Sequence, residues 1–129
     1  MIVDTSALVA VVVREPGHEA LLASVAQPDT AAGRGTPTIA KLGIVVSARL
    51  GIDARLLVAD LPEQLETAEV PFTEAHRRAA VDAFRRYGRG RHEAGLVFGD
   101  RLAHAVARPA DEPLLFLGDP FAATDLTAA

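Results

Sequence analysis

The chain has 129 residues, half of them apolar, and its 17 acidic and 13 basic side chains give a formal net charge of -4. This length fits one domain with a real hydrophobic core over residues 1–129, and the acidic balance argues against a protein that coats nucleic acid through bulk charge. Because there is no cysteine, no basic N-terminal region and no apolar stretch long enough to cross a bilayer, we expect a cytoplasmic protein without disulfides, signal peptide or membrane anchor.

Hydrophobic pattern and turn residues divide the chain into alternating strands and helices. Strands are predicted at the N-terminus, weakly within Gln27–Gly35, and at Ala68–Phe72 and Leu114–Leu117. Helices are predicted in the order Ser6–Val13, His18–Val25, Thr36–Leu50, Asp53–Leu61, Thr73–Tyr87 and Phe98–Ala107. This alternation predicts an α/β fold, a three-layer α/β/α domain with a parallel or mostly parallel central sheet.

The acidic residue Asp4 directly follows the first strand. A strand that begins at Met1 is expected to be central and buried, which places Asp4 at the carboxyl edge of the sheet, where open α/β folds bind their ligands. A buried carboxylate is costly unless a cation or hydrogen-bond donors satisfy it. The hydroxyl groups of Thr5 and Ser6 can cap the next helix but do not neutralise this charge. The pattern therefore indicates a catalytic or metal site at Asp4.

Two further acids are predicted at similar places in the fold. Asp100 stands at the start of a helix, and Asp119 follows the last strand. Carboxylate oxygens that converge at one sheet edge suit Mg²⁺ or Mn²⁺, which can hold a phosphate and activate water for in-line attack. Together with Asp4, these residues predict a phosphodiester hydrolysis site.

Each of these acids also has a purely structural interpretation. Asp4 and Asp100 can serve as helix caps, and Asp119 precedes Pro120 in a pair that favours turns. His104 lies one helical turn beyond Asp100, but imidazole is a poorer partner than oxygen for Mg²⁺, so we expect it to pack against the protein.

The sequence resembles the PIN-domain family and, within it, the VapC-type ribonuclease toxins of bacterial toxin-antitoxin pairs. The resemblance is carried by segments spread over nearly the whole chain, namely Ile2–Leu8, Thr38–Val45, Arg85–His92, Phe98–Asp100 and Leu115–Asp125. It implies a Mg²⁺- or Mn²⁺-dependent endoribonuclease that forms a homodimer and is inhibited by a small VapB-like antitoxin. Asp4 and Asp100 match the metal-binding acids of the family, and Asp119 is expected to assist them in catalysis.

Several polar residues are expected to contact the RNA substrate, namely Thr5, Ser6, Lys41, Arg89 and Arg91. The last two belong to the basic segment Arg85–His92, which the family places beside the active site and in which Tyr87 can stack on a base. The alternative for this segment is a solvated helix end.

Three residues depart from the family pattern. Lys41 stands where the family has an acidic residue, Val97 where relatives commonly have Asn, and Pro120 where they commonly have Asp before the Phe. The ammonium of Lys41 can pair with Asp4 and compete with a metal, contact a phosphate in place of part of the metal, or extend to solvent. The departures leave open a second function, a catalytically impaired PIN module that binds RNA or a VapB-like antitoxin.

An aspartyl phosphatase is a third interpretation of the strand that leads into Asp4. Enzymes of the haloacid-dehalogenase type have a second Asp two residues after the first, and Ser6 occupies that position here. Without a general acid at this place, covalent phosphoryl transfer is the least favoured of the three functions.

Overall fold

A central parallel sheet organises the structure, a computed structural model that describes all residues 1–129. The sheet consists of four short strands, β1 (Ile2–Val3), β2 (Gly33–Gly35), β3 (Ala68–Val70) and β4 (Leu114–Leu115). They lie in the order β3-β2-β1-β4, and every neighbouring pair is parallel. The N-terminal strand is therefore an inner strand, as its apolar sequence predicts.

Seven helices surround the sheet. They are α1 (Thr5–Val12), α2 (His18–Val25), α3 (Thr36–Leu50), α4 (Arg55–Ala59), α5 (Leu61–Gln64), α6 (Glu74–Tyr87) and α7 (Phe98–Ala110). None of them combines the length and the apolar character that a membrane span requires.

The sheet separates two hydrophobic cores, because successive side chains of a strand point to opposite faces. Ile2 packs with buried residues of α6 and α7, whereas Val3 packs with buried residues of α1 to α5. The two residues of β4 also point to opposite faces. Leu114 packs in the same core as Ile2, and Leu115 packs in the same core as Val3. Helices therefore cover both faces, which confirms the predicted three-layer α/β/α arrangement.

Strand β2 is an inner strand that pairs on both sides, although its sequence predicts at most a weak strand. Glycine weakens an isolated strand, so the pattern predicts only a loop or weak strand over Gln27–Gly35. In the structure, Gly33–Gly35 pairs with both β1 and β3. A Cβ atom at Gly35 would lie only 2.8 Å from Cγ2 of Val106 in α7. Glycine is therefore required here because α7 packs directly on the backbone of β2.

The bounds of several elements differ from the predictions. The helix predicted over Asp53–Leu61 is divided into α4 and α5, because Pro62 lacks the backbone N–H that a continuous helix needs and fits the first turn of a new one. Strands β3 and β4 end two residues earlier than predicted. Helix α7 instead continues past Ala107 to Ala110, where Asp111 ends it in a left-handed conformation.

The C-terminal segment is held by Asp125. Its carboxylate accepts hydrogen bonds from His104 Nε2 at 2.9 Å, Arg108 Nε at 3.0 Å and Arg86 Nη1 at 3.0 Å, and thereby joins the segment to α6 and α7. Partial burial opposes the charged form of Asp125, but the bonds from His104 and Arg108 and the charge of Arg86 outweigh it and hold its pKa well below its usual range. Burial lowers the pKa of His104 despite this carboxylate. His104 is thus a packed residue, as predicted.

Leu42 and Ile44 allow the contribution of core packing to be measured on one helix. Leu42 is fully buried, whereas the side chain of Ile44 in the same helix is 71% exposed. We expect Leu42→Ala to lower the free energy of unfolding by about 2 to 5 kcal/mol, because it removes buried methyl groups and leaves a cavity. Ile44→Ala should change it by less than about 0.5 kcal/mol. Urea denaturation measures both values, and similar losses from the two variants would contradict the placement of α3.

The ion pair between the buried His104 and the more exposed Asp125 predicts a loss of stability at acidic pH. Because the pKa of His104 is lowered from 6.5, acidification through that value protonates the unfolded chain before the folded one and lowers the free energy of unfolding. Asp125 adds a further loss below its usual pKa of 3.8, since its lowered pKa keeps the folded state charged there. We expect His104→Gln to flatten the change between about pH 5 and 7 in urea denaturation series. A pH-independent unfolding free energy in the unaltered chain would contradict this assignment.

Candidate active site

One pocket of about 320 Å³ lies at the carboxyl edge of the sheet, where β1 ends and α7 begins. It is lined by residues from α1, α3, α7 and the segment after β4, namely Asp4, Thr5, Ser6, Val9, Glu15, Lys41, Val45, Arg49, Asp100, Leu117 and Pro120. The predicted convergence of Asp4 and Asp100 is therefore present in the structure, although the two residues are far apart in sequence.

Asp4 is the N-cap residue of α1 and is 1% exposed. Its Oδ2 atom accepts hydrogen bonds from the backbone N–H of Ser6 at 2.8 Å and from the Ser6 hydroxyl at 2.6 Å. Its Oδ1 atom is buried and has no hydrogen-bond partner in the protein. Burial of a carboxylate oxygen without a partner costs free energy, so we expect a cation or a hydrogen-bond donor of a ligand to contact this atom.

Asp100 is the third residue of α7 and is held in a related way. Its Oδ2 atom accepts a hydrogen bond from the backbone N–H of Val97 at 3.1 Å. Burial raises the pKa of Asp100 and the charge of Asp4 raises it further, while the Val97 N–H and the charge of Lys41 act in the opposite direction. The charge of Asp4 thus reaches Asp100, and carboxylates that share a pocket in this way are typical of sites that bind a cation.

Lys41 supplies a positive charge at this site. Its Nζ atom lies 3.7 Å from Oδ1 of Asp100, and its side chain is 36% exposed. The side chain crosses the start of α7, because a Cβ atom at Gly99 would lie 2.7 Å from Cε of Lys41. The interpretation in which Lys41 only extends to solvent is therefore wrong, and its partner is Asp100 rather than the predicted Asp4.

The residues present fit a divalent cation held by two protein carboxylates. Mg²⁺ is commonly bound through one or two carboxylates, with waters and substrate phosphates completing its shell. The unpartnered Oδ1 of Asp4 and the nearby Asp100 meet this requirement. No group of three or more His, Cys, Asp or Glu side chains is arranged to hold a metal, and Lys41 competes for Asp100. We therefore expect a weaker cation site than three carboxylates would form.

Thr5 and Ser6 mainly support the site from within. The hydroxyl of Thr5 is directed to the backbone oxygen of Thr38 in α3, at 3.4 Å. The Ser6 hydroxyl donates to Asp4 and accepts a hydrogen bond from the backbone N–H of Leu117 at 3.0 Å. Ser6 thus fixes the orientation of Asp4 and ties α1 to the segment after β4.

The other two departures from the family pattern lie at the edge of the site. Pro120 lines the pocket, whereas the neighbouring Asp119 is exposed and does not. Val97 is 44% exposed, and its side chain cannot cap α7. The structure therefore brings Asp4, Asp100 and Lys41 together but leaves Asp119 outside the pocket.

The basic segment after α6 does not line the pocket. Arg89 and Arg91 are both exposed, and the guanidinium of Arg91 lies 4.7 Å from the ring centroid of Phe84. Tyr87 is only 7% exposed and packs in the core, so it is not available to stack on a base as predicted. The exposed ring near the acids is instead Phe98, two residues before Asp100 and 71% exposed. The sequence could have indicated this ring, because Phe98 belongs to the same Phe98–Asp100 motif as the acidic residue.

Sequence reasoning missed two charged residues of the pocket, Glu15 and Arg49. Arg49 belongs to the last turn of α3, and its guanidinium pairs with the carboxylate of Glu15 in the turn after α1. The sequence did contain a signal for Arg49. Lys41, Val45 and Arg49 are spaced by four residues, which places all three on one face of a helix.

The chain is similar in sequence to proteins of a known family. The family model of the PIN domain matches residues 1–126. Ribonuclease VapC36 of Mycobacterium tuberculosis is 41% identical over 126 residues, which cover 98% of this chain and 91% of the relative. Ribonuclease VapC of Mycolicibacterium smegmatis is 38% identical over 128 residues, with 99% and 98% covered.

A solved structure shares the fold. The crystal structure of VapC20 of Mycobacterium tuberculosis, described as a toxin that cleaves the sarcin-ricin loop, matches with a TM-score of 0.80. The match covers 99% of this chain and 97% of that chain at 17% identity, so it supports the architecture alone.

Gly99→Ala is expected to move Lys41 away from Asp100 without changing any charge. The added methyl group would occupy the space of the flexible Lys41 side chain, while the helix itself favours Ala over Gly. We expect the affinity for Mn²⁺ to rise about tenfold in isothermal titration calorimetry, which corresponds to about 1.4 kcal/mol.

Gly43→Ala is the matched control, because its Cβ atom would make only an ordinary contact with Val58 at 3.7 Å. It should leave the Mn²⁺ affinity unchanged. An unchanged affinity in Gly99→Ala as well would show that Lys41 does not control cation binding.

Proposed function

Because the chain belongs to the PIN-domain family and to its VapC-type ribonucleases, we propose that it is a Mg²⁺- or Mn²⁺-dependent endoribonuclease toxin that hydrolyses RNA phosphodiester bonds. Ribonucleases of this family are generally dependent on divalent metal. The observation that carries the proposal is the unpartnered, buried Oδ1 of Asp4 in the same pocket as Asp100.

The proposed mechanism assigns Asp4 and Asp100 to the cation. When bound there, a divalent cation would offset charge on the phosphate and make a water molecule more acidic. The chain's own groups prepare this site, since Ser6 fixes Asp4 and the Val97 N–H fixes Asp100, so that each carboxylate is oriented before substrate arrives. Lys41, once separated from Asp100, can bind a phosphate oxygen of the RNA.

The partners we propose follow from the relatives. An RNA substrate and a VapB-like antitoxin are expected, and we propose a homodimer in the cytoplasm. Arg89 and Arg91 would then contact the RNA backbone outside the pocket, because both guanidinium groups are exposed on the segment between α6 and α7.

Replacing Asp4 tests the proposed activity. Asp4→Asn keeps a side-chain acceptor for α1 but removes the charge that a cation needs, so we expect RNA cleavage to fall about a hundredfold or more. Cleavage of a structured RNA by the unaltered chain should also vanish when EDTA removes the metal.

The exposed Asp29 provides a control, since Asp29→Asn removes the same charge outside the pocket and should leave cleavage intact. Metal-independent cleavage by the unaltered chain would overturn the proposal. Asp119→Asn decides the role of that residue, because a loss as large as that of Asp4→Asn would return it to the site.

A second candidate function is favoured by the position of Lys41. With its ammonium 3.7 Å from Asp100, the chain can be a catalytically impaired PIN module that still binds RNA or a VapB-like antitoxin. Lys41→Glu should then strengthen Mg²⁺ binding in calorimetry and restore cleavage. Tight Mg²⁺ binding by the unaltered chain would remove the main reason for this alternative.

A further inference from the structure

Helix α3 presents two cations to the pocket. Lys41, Val45 and Arg49 recur every four residues, and all three line the cavity that contains Asp4 and Asp100. With a rise of 1.5 Å per residue, Lys41 and Arg49 are separated by about 12 Å along the helix axis. The positive charges therefore lie along one wall of the pocket, with Lys41 next to the carboxylates and Arg49 further along.

The guanidinium of Arg49 is only partly used by the protein. Its Nη1 atom donates to Oε1 of Glu15, and its side chain is 51% exposed. A guanidinium carries five N–H donors in a planar fork, and the remaining donors of Arg49 have no partner in the protein. Arg49 can therefore bind a phosphate while its stem stays anchored in the last turn of α3.

We propose that Arg49 is a phosphate-binding residue of the pocket, which takes up a second phosphodiester of the single-stranded RNA that is bound at Asp4 and Asp100. Glu15 competes with that phosphate for the guanidinium. This inference rests on the proposed function, and it assigns to that site a substrate contact and a residue that weakens it.

Charge explains why such a contact is needed. The protein carries a formal charge of -4, and the two carboxylates repel a phosphate backbone, so attraction for RNA must be local. Arginine matches the geometry of a phosphate through two parallel hydrogen bonds and is always charged. Among the residues that line the pocket, Arg49 is the only arginine.

The two members of the ion pair have opposite expected effects on RNA binding. Arg49→Gln removes the phosphate contact, and we expect it to weaken binding about tenfold and to reduce the salt dependence by about 0.7 in the log-log slope. Glu15→Gln removes a competing negative charge and should strengthen binding about threefold. If the pair only joined the turn after α1 to α3, both variants would lower thermal stability and neither would alter RNA binding.

The measurement is fluorescence anisotropy with a short, fluorescein-labelled, single-stranded RNA in buffer with EDTA and without added metal, because the proposed attack by water needs the cation and the RNA then stays intact. Asp53 and Arg55 provide matched controls, because they form an exposed ion pair outside the pocket. Arg55→Gln and Asp53→Asn change the net charge by the same amounts as the two test variants. Their effects on binding should be small, and thermal unfolding of all four variants reports any loss of structure.

Several outcomes would overturn the inference. Equal weakening by Arg49→Gln and Arg55→Gln would reduce the effect to net charge, and weakening by Glu15→Gln would show that Glu15 does not compete with RNA. Either result leaves the proposed nuclease activity intact. Failure of the unaltered chain to bind or cleave any RNA would overturn the proposed function itself and this inference with it.

Discussion

The site depends on two carboxylates that share one pocket although they carry the same charge. Asp4 and Asp100 each use one oxygen to accept a hydrogen bond from the backbone at the start of their own helix. Helix N-termini favour negative charge, so each carboxylate is stabilised locally. The remaining oxygens are not satisfied in the same way, and the burial of Asp100 together with the charge of Asp4 raises the pKa of Asp100. This arrangement requires a positive charge from a ligand or from the protein.

Lys41 provides part of that positive charge from within the protein. A lysine in place of an acid changes the site from one with a surplus of negative charge to one that is partly compensated. In the proposed enzyme, a bound cation would compete with the lysine for Asp100, so the occupancy of the site would depend on where the Lys41 side chain lies. Because Gly99 leaves room for this side chain, the start of α7 determines both the position of Asp100 and the path of Lys41.

The short sheet holds these helices in place. Strand β1 delivers Asp4 from its carboxyl end, and β2 allows α7 to pack directly on its backbone because Gly35 has no side chain. The approach of α7 to the sheet therefore places Asp100 near Asp4. The hydrogen bonds that Asp125 accepts from Arg86 in α6 and from His104 and Arg108 in α7 hold α7 in place as well. The geometry of the candidate site is therefore a consequence of how closely α7 contacts the backbone of β2 at Gly35.

The sequence by itself determined the order of strands and helices, the α/β class and the place of Asp4 and Asp100, since apolar periodicity and the capping of helices are local properties. The sequence left β2 undecided between a loop and a weak strand, because a strand with two glycines is stabilised by neighbouring strands that only the folded chain supplies. Tertiary structure decided which charged side chains share the pocket. It excluded Asp119, buried Tyr87 and added Glu15 and Arg49, because the direction of a turn and the contacts between helices that are distant in sequence depend on packing.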